Sequence, residues 1–168
     1  MILSLKNIFI SEGQSEGFSA NLDMSSVKTL LEEPVKNPVE VEGVLRNSAG
    51  VVTISYRVST LLKADCARCF GEVEYPFEQS FEHTVVKNEE DLDSEGDYLL
   101  AKNDELDLSE VLASDLLLSL PSRFYCKEDC KGLCSVCGAN LNEKQCSCEK
   151  EEYNPAKKLS MLSELLNK

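Results

Sequence analysis

Cysteine is the residue type in this chain with the widest chemistry, and its eight copies are unevenly spaced. Cys134 and Cys137 flank two residues and are followed by Gly138, and Cys146 and Cys148 follow around a single serine. In a Cys-x-x-Cys turn both sulfurs can reach one ion while the intervening backbone N–H groups face sulfur. A glycine directly after removes the side chain that would crowd the turn. Four thiolates from Cys134, Cys137, Cys146 and Cys148 suit zinc, whose structural sites are closed and tetrahedral. The Cys-x-Cys pair is the tighter bite of the two. Cys66, Cys69, Cys126 and Cys130 remain. The simplest arithmetic makes them a second four-sulfur site that ties a hairpin tip to the C-terminal segment, so one zinc ion is expected and the count allows two. Two other partitions stay open: Cys130 could replace Cys146 or Cys148, and Cys66 and Cys69 could remain reduced thiols.

Other uses of these thiols fit less well. A working Cys-x-x-Cys dithiol sits where a strand runs into a helix N-terminus, which lowers the thiol pKa. Cys66 and Cys69 instead fall between two strand patterns, with Arg68 as the nearby cation. A disulfide framework belongs to oxidising compartments. The opening MILSLKNIFI is broken by Lys6 and Asn7 and lacks a small-residue cleavage site, so it does not read as a secretion signal. No apolar run is long enough to cross a bilayer. The chain therefore reads as cytoplasmic, without a membrane partner. His83, the single histidine, falls in register with the apolar residues of its strand, as a packed or edge residue rather than a base. There is no glycine-rich phosphate loop and no nucleophile elbow. A closed all-cysteine site has no open coordination position. No catalytic residue or small-molecule substrate is expected, and the chain does not read as an enzyme.

The elements that must hold these residues follow from periodicity. The apolar residues of the first ten positions suggest a strand, then a loop, then a short helix near 26–33 closed by Pro34. Val39 and Val41 alternate with Glu40 and Glu42, 47–50 makes a hairpin turn, and Val52, Ile54, Tyr56 and Val58 continue with period two. After Cys66-Ala-Arg-Cys69 a third strand turns Val73, Tyr75, Phe77, Phe81 and Val85 one way and Glu72, Glu74, Glu78 and Glu82 the other. Pro76 marks an edge or a bulge there. Residues 88–96 read as an acidic loop, 98–101 as a short strand, and Asp107 as the cap of a helix over 108–119 that packs its many leucines on the sheet. Asn154-Pro155 opens a terminal helix with a leucine stripe. The expected fold is α+β: an antiparallel meander or partial barrel packed by helices. Residues 1–122 would form the core domain, and 123–168 a zinc-binding segment and C-terminal helix packed on it.

Charge narrows the partners. The formal net charge of the 168 residues is −13, and residues 89–115 hold most of the excess, with Lys102 their one base. Such a chain repels phosphate backbones and attracts basic partners. Residues 126–168 are balanced, with equal numbers of acids and bases, so direct contact between this segment and a folded RNA is the second reading. A thiol or zinc redox regulator is a third.

Several strings occur in order: Cys66-Ala-Arg-Cys69 after a strand, Asp107-Leu-Ser-Glu-Val-Leu112 running into Leu116-Leu-Leu-Ser-Leu-Pro121, Cys126-Lys-Glu-Asp-Cys130-Lys-Gly-Leu-Cys134-Ser-Val-Cys137-Gly-Ala-Asn-Leu-Asn142 with Cys146-Ser-Cys148, and a helix led by Asn-Pro. Together they closely resemble the YceD-like family, the large ribosomal RNA subunit accumulation proteins. The resemblance covers most of the chain, which departs from the family at Asn154-Pro155-Ala156, where Asp-Pro-Arg is common. The family's members imply a role in synthesis, processing or stability of large-subunit ribosomal RNA. Some of them lack the second cysteine cluster, which implies that zinc there supports the fold. Joined to the charge, the resemblance suggests an acidic adaptor for a basic ribosomal protein or assembly factor. Its contact surface would comprise Glu72, Glu74, Glu78 and Glu82 together with the 89–115 stretch, and ribosomal RNA would be contacted directly or indirectly.

Overall fold

A computed structural model gives the fold and describes residues 1–28, 33–88 and 98–148. The chain divides into two compact units, Met1–Cys126 and Lys127–Lys168. Residues 123–126 stay with the first unit because Phe124 bridges to Cys66 and its carbonyl accepts from the Ala67 N–H at 2.8 Å.

In chain order the elements are β1 (Ile2–Ser4), α1 (Lys6–Ile10), β2 (Ser15–Leu22), β3 (Val39–Ser48), β4 (Val51–Asp65), β5 (Glu72–Val86), β6 (Tyr98–Leu100), β7 (Glu105–Asp107) and α2 (Leu108–Ser119). All belong to the first unit. A five-stranded sheet runs β2-β3-β4-β5-β6, and β1 and β7 form a separate pair. Strands β2 to β5 are an antiparallel meander, while β6 joins β5 in parallel at Thr84–Val86. The sheet is open, with β2 and β6 at its ends, so the α+β architecture holds without closure into a barrel.

The alternation of β3 and β4 is the cause of their pairing. Val41 faces Val58 and Leu45 faces Ile54 on the inner side, all buried, while Arg57 and Glu42 face each other on the outer side. The hairpin turns at Ser48–Val51, with Ala49 and Gly50 at φ of 52° and 84°. Asn47 is buried at its base, donating its Nδ2–H to the Ile8 carbonyl at 2.7 Å and accepting from the Gly50 N–H at 3.1 Å. Gly43 lies where a side chain has no room. A Cβ there would sit 2.5 Å from Phe18 Cζ, 2.6 Å from Tyr56 Cβ and 2.8 Å from the Ser55 carbonyl. Pro76 pairs in register with Leu61, and β6 reaches only the far end of β5, so the proline stands on a sheet edge without a bulge.

Helix α2 begins where expected, with the Asp107 carboxylate accepting from the Ser109 N–H at 2.9 Å. It buries Leu108, Val111, Leu112 and Leu116 against the core formed by α1 and β3–β5. Leu117 and Leu118 are 55% and 86% exposed, so its leucines do not all pack on the sheet.

The N-terminal ten residues are not one strand. Only Ile2–Ser4 is extended, and Lys6–Ile10 is helical because Leu5 and Ile8, three apart, then share one buried face. The region read as loop after it contains β2, whose low-propensity sequence SEGFSANL is held by eight consecutive pairings to β3. Of the helix expected near 26–33, residues 26–28 and 33 are described and are not helical; residues 29–32, residues 89–96 of the expected loop and the terminal helix lie outside the described residues.

Candidate metal centre

The cysteine sulfurs fall into one set in each unit. Cys66, Cys69 and Cys126 form one in the first unit, and Cys134, Cys137, Cys146 and Cys148 the other in the second; within each set the sulfurs lie within 4.8 Å of one another, and Cys130 is buried in the second unit. None of the eight is in a disulfide. Four sulfurs bound at about 2.3 Å around an ion define a tetrahedron with edges of about 3.8 Å. Cys69 Sγ and Cys126 Sγ are 3.7 Å apart, near that edge and far from a covalent S–S contact. Each set could hold a metal ion.

Two turns of the same build position the first sulfurs of each set. At Cys134 the N–H donates to the Ala139 carbonyl at 2.8 Å, and the Gly138 N–H returns to the Cys134 carbonyl at 2.8 Å. At Cys66 the N–H donates to the Gly71 carbonyl at 2.8 Å, and the Phe70 N–H returns to the Cys66 carbonyl at 2.9 Å. The residue directly after the second cysteine is left-handed in both, Gly138 at φ 71° and Phe70 at φ 56°. Glycine takes that conformation freely, whereas for an aromatic residue it costs about 1–2 kcal/mol. The sequence contains no long repeat, but its folded form contains this short one.

The electrostatics of the sulfurs follow from their donors. Burial opposes ionisation of Cys66, yet the N–H groups of Cys126, Arg68 and Cys69 donate toward its sulfur and bring its pKa down to about 6. The N–H groups of Cys137 and Val136 do the same for Cys134, also to about 6, the Val136 donor lying 3.4 Å from sulfur. Cys148 moves the other way, to about 12, through its thiol contact with Cys137, burial and the charge of that neighbour. Four thiolates this close cannot all ionise without a cation among them, and that is the condition a metal ion satisfies. A bound ion would cross-link the chain segments that supply its ligands and supply no open coordination position. Around the ligands, Asn142 donates its Nδ2–H toward Cys130 Sγ at 3.3 Å and accepts from the Lys131 N–H at 2.9 Å through Oδ1. Spacing alone does not single out Asn142, although it stands in the Asn140-Leu-Asn142 string that follows the turn.

The glutamates singled out on β5 all point to the outer side of the sheet and are exposed. Glu74 pairs with Lys63 at 3.0 Å and Glu78 with Arg57 at 3.0 Å, both cations coming from β4. Glu72 and Glu82, with Glu40 and Glu42 of β3 on the same face, have no cation at ion-pair distance among the described residues.

One carboxylate of the acidic stretch is not on a solvated face. Asp115 lies on the buried side of α2, 9% exposed, with Tyr56 Oη donating to it and His83 Nε2 at 2.7 Å. His83 is half-buried between the core and that carboxylate, and Tyr56 stacks obliquely on Phe81 with centroids 5.5 Å apart. Asp115 follows Leu108, Val111 and Leu112 by the 3–4 step of one helix face, a signal masked by the run of acids around it.

Fold and site thus define an open-sheet α+β protein with two cysteine clusters. Residues 54–166, about two thirds of the chain, match the family model "Large ribosomal RNA subunit accumulation protein YceD", and the chain belongs to the YceD family. It is similar to the uncharacterized protein YlbN of Bacillus subtilis (strain 168), at 23% identity over 118 residues, 69% of this chain and 68% of that protein. It is also similar to the chloroplastic large ribosomal RNA subunit accumulation protein YCED homolog 1 of Arabidopsis thaliana, at 40% identity over 48 residues. That match spans 29% of this chain and 15% of the plant protein. No solved structure matches the chain. Among the described residues no helix is long and apolar enough to cross a membrane.

Proposed function

We propose that the protein is a non-enzymatic ribosome-biogenesis factor of the cytoplasm. It would support accumulation of the large-subunit (23S) ribosomal RNA as an acidic adaptor for a basic ribosomal protein or assembly factor. The family supplies the ribosomal context. The observation that carries the adaptor reading is the outer face of β3–β5, where Glu40, Glu42, Glu72 and Glu82 have no ion-pair partner among the described residues, beside the paired Glu74 and Glu78. A row of like charges on a rigid sheet is costly to assemble without an oppositely charged partner and speeds encounter with one. Zinc is the ion we assign to both cysteine sets, since an all-thiolate, four-coordinate, closed site selects it over oxygen-preferring cations. Its role would be structural.

Affinity capture with the full chain from a lysate at low salt tests the adaptor. We expect a basic large-subunit protein or assembly factor to be recovered, to be released as salt rises, and to be lost on combined Glu42→Lys and Glu82→Lys substitution. Recovery of no such protein at low salt, or capture indifferent to both salt and the two substitutions, would sink this reading.

A further inference from the structure

The two cysteine turns share their hydrogen bonds and their left-handed residue, but one spends that position on glycine and the other on phenylalanine. Phe70 is not there for packing, because its side chain is 70% exposed. A strained backbone position occupied by a bulky, solvent-facing aromatic points to a function for the ring.

Its surroundings indicate which. Among the described residues three aromatic side chains are exposed, namely Phe70, Tyr75 at 43% and Tyr125 at 41%, and all three belong to this corner of the first unit. Residues 66–67 run beside Phe124, the Tyr75 ring meets the Phe124 ring edge-on with centroids 5.8 Å apart, and the Arg68 guanidinium lies 4.9 Å over the Tyr125 ring. Arg123 is exposed one residue before Phe124. Exposed rings beside guanidinium groups complement a ligand with a flat π-face and a negative charge.

We propose that Phe70, Tyr75 and Tyr125, with Arg68 and Arg123, form a stacking platform for an unpaired nucleotide of RNA. The net charge of −13 opposes tracking along a phosphate backbone, and Asp65 and Glu72 flank the platform. The contact is therefore short and directed at a base, as single-stranded RNA allows and a duplex does not. That the RNA is ribosomal rests on the biogenesis reading above; the stacking chemistry does not.

The test uses the full-length, zinc-loaded chain. Three probes are compared: a short single-stranded RNA of mixed sequence, the same strand annealed to its complement, and the strand with abasic positions. Binding is followed by anisotropy of the labelled RNA and by quenching of tyrosine fluorescence. The single strand should bind, and the duplex and abasic strands should bind far more weakly. Phe70→Gly should weaken single-strand binding about tenfold, the scale of one lost base stack, while its melting temperature stays unchanged or rises, because glycine takes the left-handed turn without strain. Equal affinity of wild type and Phe70→Gly for the single strand would overturn the proposal, as would a duplex that binds as well as the single strand. A Phe70→Gly chain that loses a captured protein partner, in a protein that binds no RNA, would overturn it too and assign the platform to protein recognition. Glu42→Lys with Glu82→Lys should leave single-strand binding intact or strengthen it. Failure of the adaptor reading is thus separable from failure of the platform.

Discussion

Tyr56 and Asp115 show how one buried contact sets a pH limit. Burial, then the hydrogen bond to Asp115 and its charge, hold the Tyr56 phenol far above its ordinary value of 10.0. The folded chain keeps this proton where the unfolded chain releases it. The stabilisation is therefore present in full below about pH 10 and declines as pH rises beyond it. Tyr56→Phe should cost about 1.5–3 kcal/mol at neutral pH, the range for a hydrogen bond to a charged group, and should flatten that alkaline decline. Denaturant titration at pH 7 and at pH 10.5 checks both; equal stability of the two proteins at neutral pH would refute the role. At this scale the cysteine turns were legible in advance, since Cys-x-x-Cys geometry is local and glycine after the second cysteine is a direct signal. Phe70 was not, because nothing in a sequence marks a phenylalanine that must turn left-handed. The partnership of Asp115 with Tyr56 and His83 joins three distant elements and leaves no local trace.

The elements divide by whether their cause is local. Strands β3, β4 and β5 and the start of α2 could be read from alternation and a cap. Strand β2 and the parallel addition of β6 could not, because they exist through the neighbour that pairs with them. Gly43 on β3 is a point of close approach to β2 and β4. Gly43→Ala would drive a methyl into Tyr56 Cβ and the Ser55 carbonyl, neither of which can swing aside, so we expect about 1–3 kcal/mol of destabilisation. A thermal melt would measure it, and an unchanged midpoint would show that the β3–β4 pairing yields more easily than its geometry indicates.

For the molecule as a whole, charge and metal content are linked. Each zinc held by four thiolates carries a net charge of about −2, so loading adds to an already acidic chain. Elemental analysis of the purified protein should find two zinc ions per chain, falling to one in Cys66→Ser, because the set at Cys134 keeps all its ligands. Two ions retained in that variant would show that Cys66 is not a ligand. A single ion in the wild type would favour the partition in which one set stays as thiols. Composition gave the sign of the molecule's charge, but the placement of its acids needed the sheet. Two of the four β5 glutamates turned out to be neutralised by β4, a pairing set by register.

Between Glu72 and His83 the side of β5 away from β4 has no strand beside it among the described residues. A bare edge of that length invites a second copy to add itself as a further strand and grow into an aggregate. Here Pro76 withholds one of the N–H groups such an addition would use, and the glutamates at 72, 74, 78 and 82 would confront an identical row. The acids proposed to receive a partner would thus also oppose such an addition in its absence.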